Sequence, residues 1–253
     1  MTRDYTLKIY RNLIDVIHSQ GYETVSYEDY ILKKYTKPKV YILRHDVDYK
    51  PYNSVNTAKI ESEAGAKGTY YFRIINETNV PDAIEKIAGL GHEIGYHYED
   101  LSMCNGNYEK AYEQYIRNLE YFRRYYPVKT ICMHGSPLSK WDNRLIWDRH
   151  NYRDSQIIAE PYFDTDFNKV LYITDTSRHW NASDYSVRDK VDGLKATIRS
   201  TEHLIEQLRE NKLSSHIMQN IHPHRWTDSY IGWSKELVFQ NLKNVVKRFI
   251  VSR

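Results

Sequence analysis

The chain has 253 residues, with 36 Lys and Arg set against 33 Asp and Glu and a net charge of +3. So even a balance offers no basic face for nucleic acid, and no run approaches the ~20 apolar residues that a membrane-spanning helix needs. A hydrophobic content of 41% supports the core of one large domain, and the whole of 1–253 is read as a single domain. Residues 1–20 are charged throughout, without the uninterrupted apolar segment of a secretion signal, so a cytoplasmic protein is expected. Cys104 and Cys132 fit no metal or redox spacing and are expected to be unpaired thiols. The 24 tyrosines suit either sugar contacts or a tyrosine-rich core, and the core is the default reading.

Helix and strand patterns alternate along the chain. Tyr10, Leu13, Ile14 and Ile17 lie at helical spacing, with Gly21 as a stop. The apolar run 40–43 reads as a buried strand, 54–63 as a helix ended by Gly65, and 69–74 as a strand rich in β-branched and aromatic residues. Pro81 opens a short helix over 81–88, and 93–96 is a strand. Asn107 caps a helix whose Tyr108, Ala111, Tyr112, Tyr115, Leu119 and Phe122 share one face. Strands are predicted at 130–133, 156–159, 170–173 and 215–221, with short helices at 142–147 and 201–209 between them. Ser234 is expected to cap a last helix that turns Leu237, Val238, Leu242, Val245, Val246 and Phe249 inward. Strands separated largely by helices imply a mostly parallel α/β architecture, whose active groups gather at strand ends.

Three strand ends carry chemistry. Arg44-His45-Asp46-Val47-Asp48 follows the first buried run, and strand parity turns residues 44, 46 and 48 to one side. Two carboxylates held that close raise one pKa unless a cation relieves them, and a divalent metal would leave one as ligand and the other as base. Residues 91–97, GHEIGYH, end in His97, and Asn220-Ile221-His222-Pro223-His224 ends the last strand. Asp, His and His at strand ends suit a hydrolytic metal site with an acid and a base. Trp226 falls near the same mouth. Ser136 lies in His134-Gly135-Ser136-Pro137, which lacks the surroundings of a serine nucleophile elbow.

On these segments the chain resembles the polysaccharide deacetylase family, which includes chitin and peptidoglycan deacetylases. The family's second motif often reads G-H-E-I-G-N-H, nearly residues 91–97; its first, T-F-D-D-G, has D-x-D variants like Asp46-Val47-Asp48; its last ends a hydrophobic strand in His, as Ile221-His222 does. The likeness spans residues 40–225. It implies a distorted seven-stranded (β/α) barrel over 39–253, with 1–38 as an N-terminal helical extension. It implies Asp46 as catalytic base, Asp48 and His97 as metal ligands, His222 as general acid, Asp175 orienting that acid, and Trp180 walling the pocket. The implied metal is divalent, zinc first, with cobalt or nickel as alternatives.

One family position departs. The second metal histidine follows the first by four residues, where this chain has Leu101. Glu99, which shares parity with His97, is one replacement. His134 is another, although its place at the family's arginine-bearing third motif also suits support of Asp46 or contact with substrate. The expected activity is removal of an N-acyl group, usually acetyl, from an amino sugar or sugar precursor, with surface polysaccharide biosynthesis as the expected setting. The competing readings are a related C–N hydrolase, such as a deformylase or ring amidohydrolase, and a sugar-binding barrel that lost its metal with the histidine at 101.

Overall fold

The structure, a computed structural model, describes residues 3–180 and 188–251, with side chains through Asn244. Among the described residues one curled, parallel sheet holds all the strands: β1 (Glu23–Val25), β2 (Val40–Val47), β3 (Thr69–Phe72), β4 (Glu93–Tyr98), β5 (Ile131–Met133), β6 (Leu171–Thr174) and β7 (His216–Ile221). Their order is β5-β4-β3-β2-β7-β6, and β1 pairs with β2 beside that path. The register explains the branch. β7 takes one edge of β2, while β1 pairs with Val40–Ile42 and β3 with Arg44–Val47 on the other. The arrangement is a distorted (β/α) half-barrel, as expected.

The helices are α1 (Leu7–Ser19), α2 (Tyr27–Ile31), α3 (Pro51–Glu63), α4 (Pro81–Gly89), α5 (Asp100–Met103), α6 (Tyr108–Arg123), α7 (Pro161–Asp164), α8 (Thr201–Arg209) and α9 (Tyr230–Val251). Strand residues of odd number on β2 face outward. Tyr41 and Leu43 meet Leu13, Ile17, Leu204 and Ile217 under α1 and α8. Tyr70, Phe72, Ile94, Tyr96 and Tyr98 form a second layer with α3, α4 and α6. Tyrosine does serve as core here: Tyr70, Tyr71 and Tyr96 are wholly buried, and each hydroxyl finds a partner in Glu61, Thr130 and Asp100 respectively. Both cysteines are free. No described helix is long and apolar enough to cross a membrane.

Three expectations are corrected. Residues 156–159 make only an isolated bridge, Thr130 to Ala159, and β1 is the seventh strand instead. The first 38 residues are therefore not purely helical. The run at 23–25 is too short to show periodicity without its partner. The last helix begins at Tyr230, with Ser229 Oγ accepting from Gly232 N, so Ser234 lies inside it. Its inward face is polar: Glu236, Gln240 and Asn244 are buried, while Val238 and Leu242 are exposed. The reason is what lies beneath, since Asn244 donates to the Ser177 carbonyl and Glu236 approaches His224. The side chains of Val245, Val246 and Phe249 fall outside the described ones.

Gly95, in the middle of the 91–97 motif, has a packing reason. A Cβ there would stand 2.3 Å from two ring carbons of Tyr71 and 3.0 Å from the Thr130 carbonyl. Tyr71 is held by its hydroxyl bond to Thr130 and cannot swing aside. Gly95→Ala is therefore expected to lower stability by about 1–3 kcal/mol, the usual cost of overpacking. Urea denaturation of both proteins measures it, and an unchanged midpoint would contradict the account.

Candidate functional site

Along the inner face of β2 the side chains change character. Val40 and Ile42 pack with Val170 and Met218 in an apolar floor. Arg44 and Asp46 come next, and Asp48 follows just past the strand end. Strand β2 extends through Val47, so the shared parity of 44, 46 and 48 holds. Neighbouring strands deliver their own residues to the same rim: His97 on β4, His134 after β5, Asp175 after β6, Asn220 and His222 on and after β7.

Three of the carboxylates here are each paired with an arginine. Arg44, wholly buried, donates from Nε and Nη2 to Asp46 Oδ1 and Oδ2 at 3.1 and 2.8 Å. Asn220 adds a bond to Asp46 Oδ2 at 2.9 Å. Arg73 meets Glu99 Oε1 through Nε and Nη2 at 2.7 and 2.6 Å. Arg225 meets Asp175 Oδ1 at 2.8 Å, and Trp226 Nε1 donates to Asp175 Oδ2 at 2.9 Å. A buried carboxylate is tolerable when so compensated.

Asp48 is different. Among the described residues no Arg or Lys forms an ion pair with it, and its buried Oδ1 has no hydrogen-bond partner. Three imidazoles surround it instead. His97 Nε2 and His134 Nε2 each lie 3.6 Å from Oδ1, and His222 Nε2 lies 3.7 Å from Oδ2. All three rings are set the same way. Nδ1 of His97 donates to the Cys132 carbonyl at 2.9 Å, that of His134 to Glu99 Oε2 at 2.8 Å, and that of His222 to Asp175 Oδ1 at 2.6 Å. These acceptors have no proton to give, so Nδ1 carries a proton in each ring, and each Nε2 faces the site, with a lone pair wherever the ring is neutral.

The residues fit a divalent cation. Asp48, His97 and His134 bring ligand atoms within 4.8 Å of one another. Separations of 3.6 Å are too long for hydrogen bonds, yet match the ~3.3–3.6 Å between donors bound tetrahedrally at ~2.0–2.2 Å. Asp46, His97 and Cys132 form a second such group. It is the poorer one, because Asp46 is already engaged by Arg44 and Asn220 and burial pushes the Cys132 thiol pKa well up.

The electrostatics follow. Burial alone would raise Asp46, but Arg44, His97 and His222 hold it below its ordinary value. Asp48 is lowered as well, by His134, His222 and His97 against its burial. Burial pushes His97 down to about 4, so it is neutral near pH 7 as a ligand must be. Asp175 is held at about 2 by Arg225 and His222, against the opposing effect of burial.

The structure thus brings Asp46, Asp48, His97, His134, His222 and Asp175 together. Glu99 is not in the ligand group: its oxygens are taken by Arg73, His134 and Ser136. His134 faces Asp48 rather than supporting Asp46, whose support comes from Arg44. Trp180 and Trp226 do not wall a pocket. Both are buried in the core with Tyr5, Trp180 donating to Thr201 and Trp226 to Asp175. Leu101 is wholly buried in the apolar layer and points away from the rim. His92 and His45 are packed, the first bonded to Gly68 and Ala58, the second to Thr69 and Glu61. Ser136 and Glu99 meet the same nitrogen of His134, whereas a triad needs nucleophile and acid on opposite nitrogens. Sequence reasoning missed Arg44 and Asn220, although each sits two residues from a recognised site residue and shares its parity. Arg73 carried no such signal.

No family model matches the chain, and no curated protein matches it. Among solved structures the chain is similar to the Xyl-CE4 domain of a multidomain xylanase from the hindgut metagenome of Trinervitermes trinervoides. The identity is 13%, over 81% of this chain and 83% of that one, with a TM-score of 0.37. The functional reading rests on the residues of the site itself.

Asp175 makes the site pH-sensitive in a defined direction. Its pKa falls from the ordinary 3.8 to about 2 in the folded protein. A depressed carboxylate adds stability above its unfolded pKa, and that contribution disappears as pH falls through the folded one. Wild type should therefore exceed Asp175→Asn most above pH 4, and roughly 2 kcal/mol of that advantage should vanish between pH 4 and pH 2. Denaturant titrations of both proteins at several pH values check this, and a pH-independent gap would refute it.

Proposed function

We propose that the chain is a metal-dependent hydrolase that removes an N-acyl group, in the first instance acetyl, from an amino sugar or sugar precursor. The observation that carries this reading is the orphaned Asp48 oxygen facing His97 and His134, with Asp46 and His222 on either side. The likeness of residues 91–97 and of the Asp-x-Asp and Ile-His segments to deacetylase motifs supports it. Two imidazoles and one carboxylate suit zinc, with cobalt or nickel as alternatives. Bound there, such an ion supplies Lewis-acid polarisation of the acyl carbonyl and acidification of a water.

The chain's own residues do the proton work. Asp46, ionised and fixed by Arg44 and Asn220, takes the proton of the attacking water. Its Oδ2, the oxygen held by Arg44 Nη2 and Asn220, lies 3.7 Å from His97 Nε2, beside the ligand group. His222 gives a proton from Nε2 to the departing amine, since an unprotonated amide nitrogen leaves poorly. Asp175 fixes the His222 ring through Nδ1 so that Nε2 faces the site. With Leu101 where a histidine would serve, His134 is the third ligand in this reading, beside Asp48 and His97. That geometry favours the enzyme over the sugar-binding reading.

Replacing Asp48, His97 or His134 with Ala should each abolish stoichiometric zinc, measured by elemental analysis after dialysis. Asp46→Asn and His222→Ala should keep the metal but lower acetate release by roughly 10²–10⁴-fold, the scale of general acid–base catalysis. Nucleotide-linked and polymeric N-acetyl sugars serve as trial substrates. A wild-type protein that binds no zinc, cobalt or nickel would sink this function.

A further inference from the structure

Glu99, read from the sequence as a metal ligand, occupies a different place in the structure. Arg73, Glu99 and His134 follow directly on β3, β4 and β5, three neighbours in the sheet. They form a continuous row along the rim. Arg73 grips Glu99 Oε1 with two nitrogens at 2.7 and 2.6 Å. Glu99 Oε2 accepts from His134 Nδ1 at 2.8 Å and from Ser136 Oγ at 3.1 Å. His134 is fixed at its backbone too, its N–H donating to the Tyr98 carbonyl at 2.9 Å and its carbonyl accepting from Asn143 at 2.8 Å.

We infer that Glu99 is a positioning residue: clamped by Arg73, it holds His134 in the one tautomer and ring orientation that aims Nε2 at Asp48. The inference rests on the metal site proposed above and names the device that replaces the missing histidine at 101. A ligand borrowed from the next strand sits on a loop, at Ser136 strained to φ 38°, and needs an external acceptor to fix its ring. A carboxylate behind a ligating imidazole also raises its basicity, and losing such a partner commonly costs 10–100-fold in metal affinity.

The test is chelator competition for zinc, with the visible spectrum of the cobalt-loaded protein as a second readout, on full-length wild type and on Glu99→Ala, Glu99→Gln, His134→Ala and His97→Ala. Glu99→Ala should weaken zinc binding about 10–100-fold and keep the wild-type cobalt band positions, because the ligand set is unchanged. Glu99→Gln should recover part of the affinity, since an amide oxygen still accepts from Nδ1. His134→Ala should match His97→Ala in lost affinity and in an altered cobalt spectrum. Glu99→Ala leaves Arg73 without its partner, so a double Arg73→Met, Glu99→Met variant, which removes both charges, decides if the single one does not fold. Affinity unchanged in the Glu99 variants, or lost as completely as in His97→Ala with an altered spectrum, would overturn the positioning role while leaving the metal site standing. Failure of wild type itself to bind either ion would remove both.

Discussion

Everything at the rim depends on how buried negative charge is compensated. Four carboxylates gather there: Asp46, Glu99 and Asp175 are buried, and Asp48 is partly exposed with its Oδ1 buried. Asp46, Glu99 and Asp175 each have an arginine, respectively Arg44, Arg73 and Arg225. Asp48 has only imidazoles. An uncompensated carboxylate in such surroundings is costly, and a cation bound to it is the natural remedy. At this rim the arginines thus compensate three of the four carboxylates and leave Asp48 as the one facing only imidazoles.

The imidazoles obey a matching rule. Each of His97, His134 and His222 has its Nδ1 proton directed to an acceptor outside the centre, so each Nε2 points in. What separates the proposed ligands from the proposed acid is the Asp48 oxygen that each one approaches. His97 and His134 share one oxygen of Asp48, while His222 approaches the other and rests on an ionised Asp175. His97, backed by a peptide carbonyl, is kept neutral by its burial.

The fold delivers this arrangement through a gradient along the strands. Inner residues of β2 run from Val40 and Ile42 at the floor to Arg44, Asp46 and Asp48 at the rim, and β7 runs in parallel from Met218 to Asn220 and His222. Parallel register keeps like with like at each level. The apolar floor anchors the sheet, and the charged rim sits where the strands end, as in other parallel α/β barrels. The last helix conforms to the same logic, turning Glu236, Gln240 and Asn244 toward this polar end and leaving Val238 and Leu242 outside.

Much of this was legible in one dimension. Periodicity located most strands and helices, because apolar residues at spacing 2 or 3.6 must share a buried face. Parity put Asp46 and Asp48 on one side, because an extended chain alternates faces. The short β1 was hidden, since three residues gain their strand character only from pairing with β2. The apolar run in the last helix misled for a related reason: which face of a helix turns inward depends on what it covers. The third ligand place was open between Glu99 and His134. The sequence held both residues, 35 positions apart, but only the adjacency of β4 and β5 brings them into contact. The same holds for the arginines. A charge compensates its partner across space, and strand order, not chain order, decides which charges are neighbours.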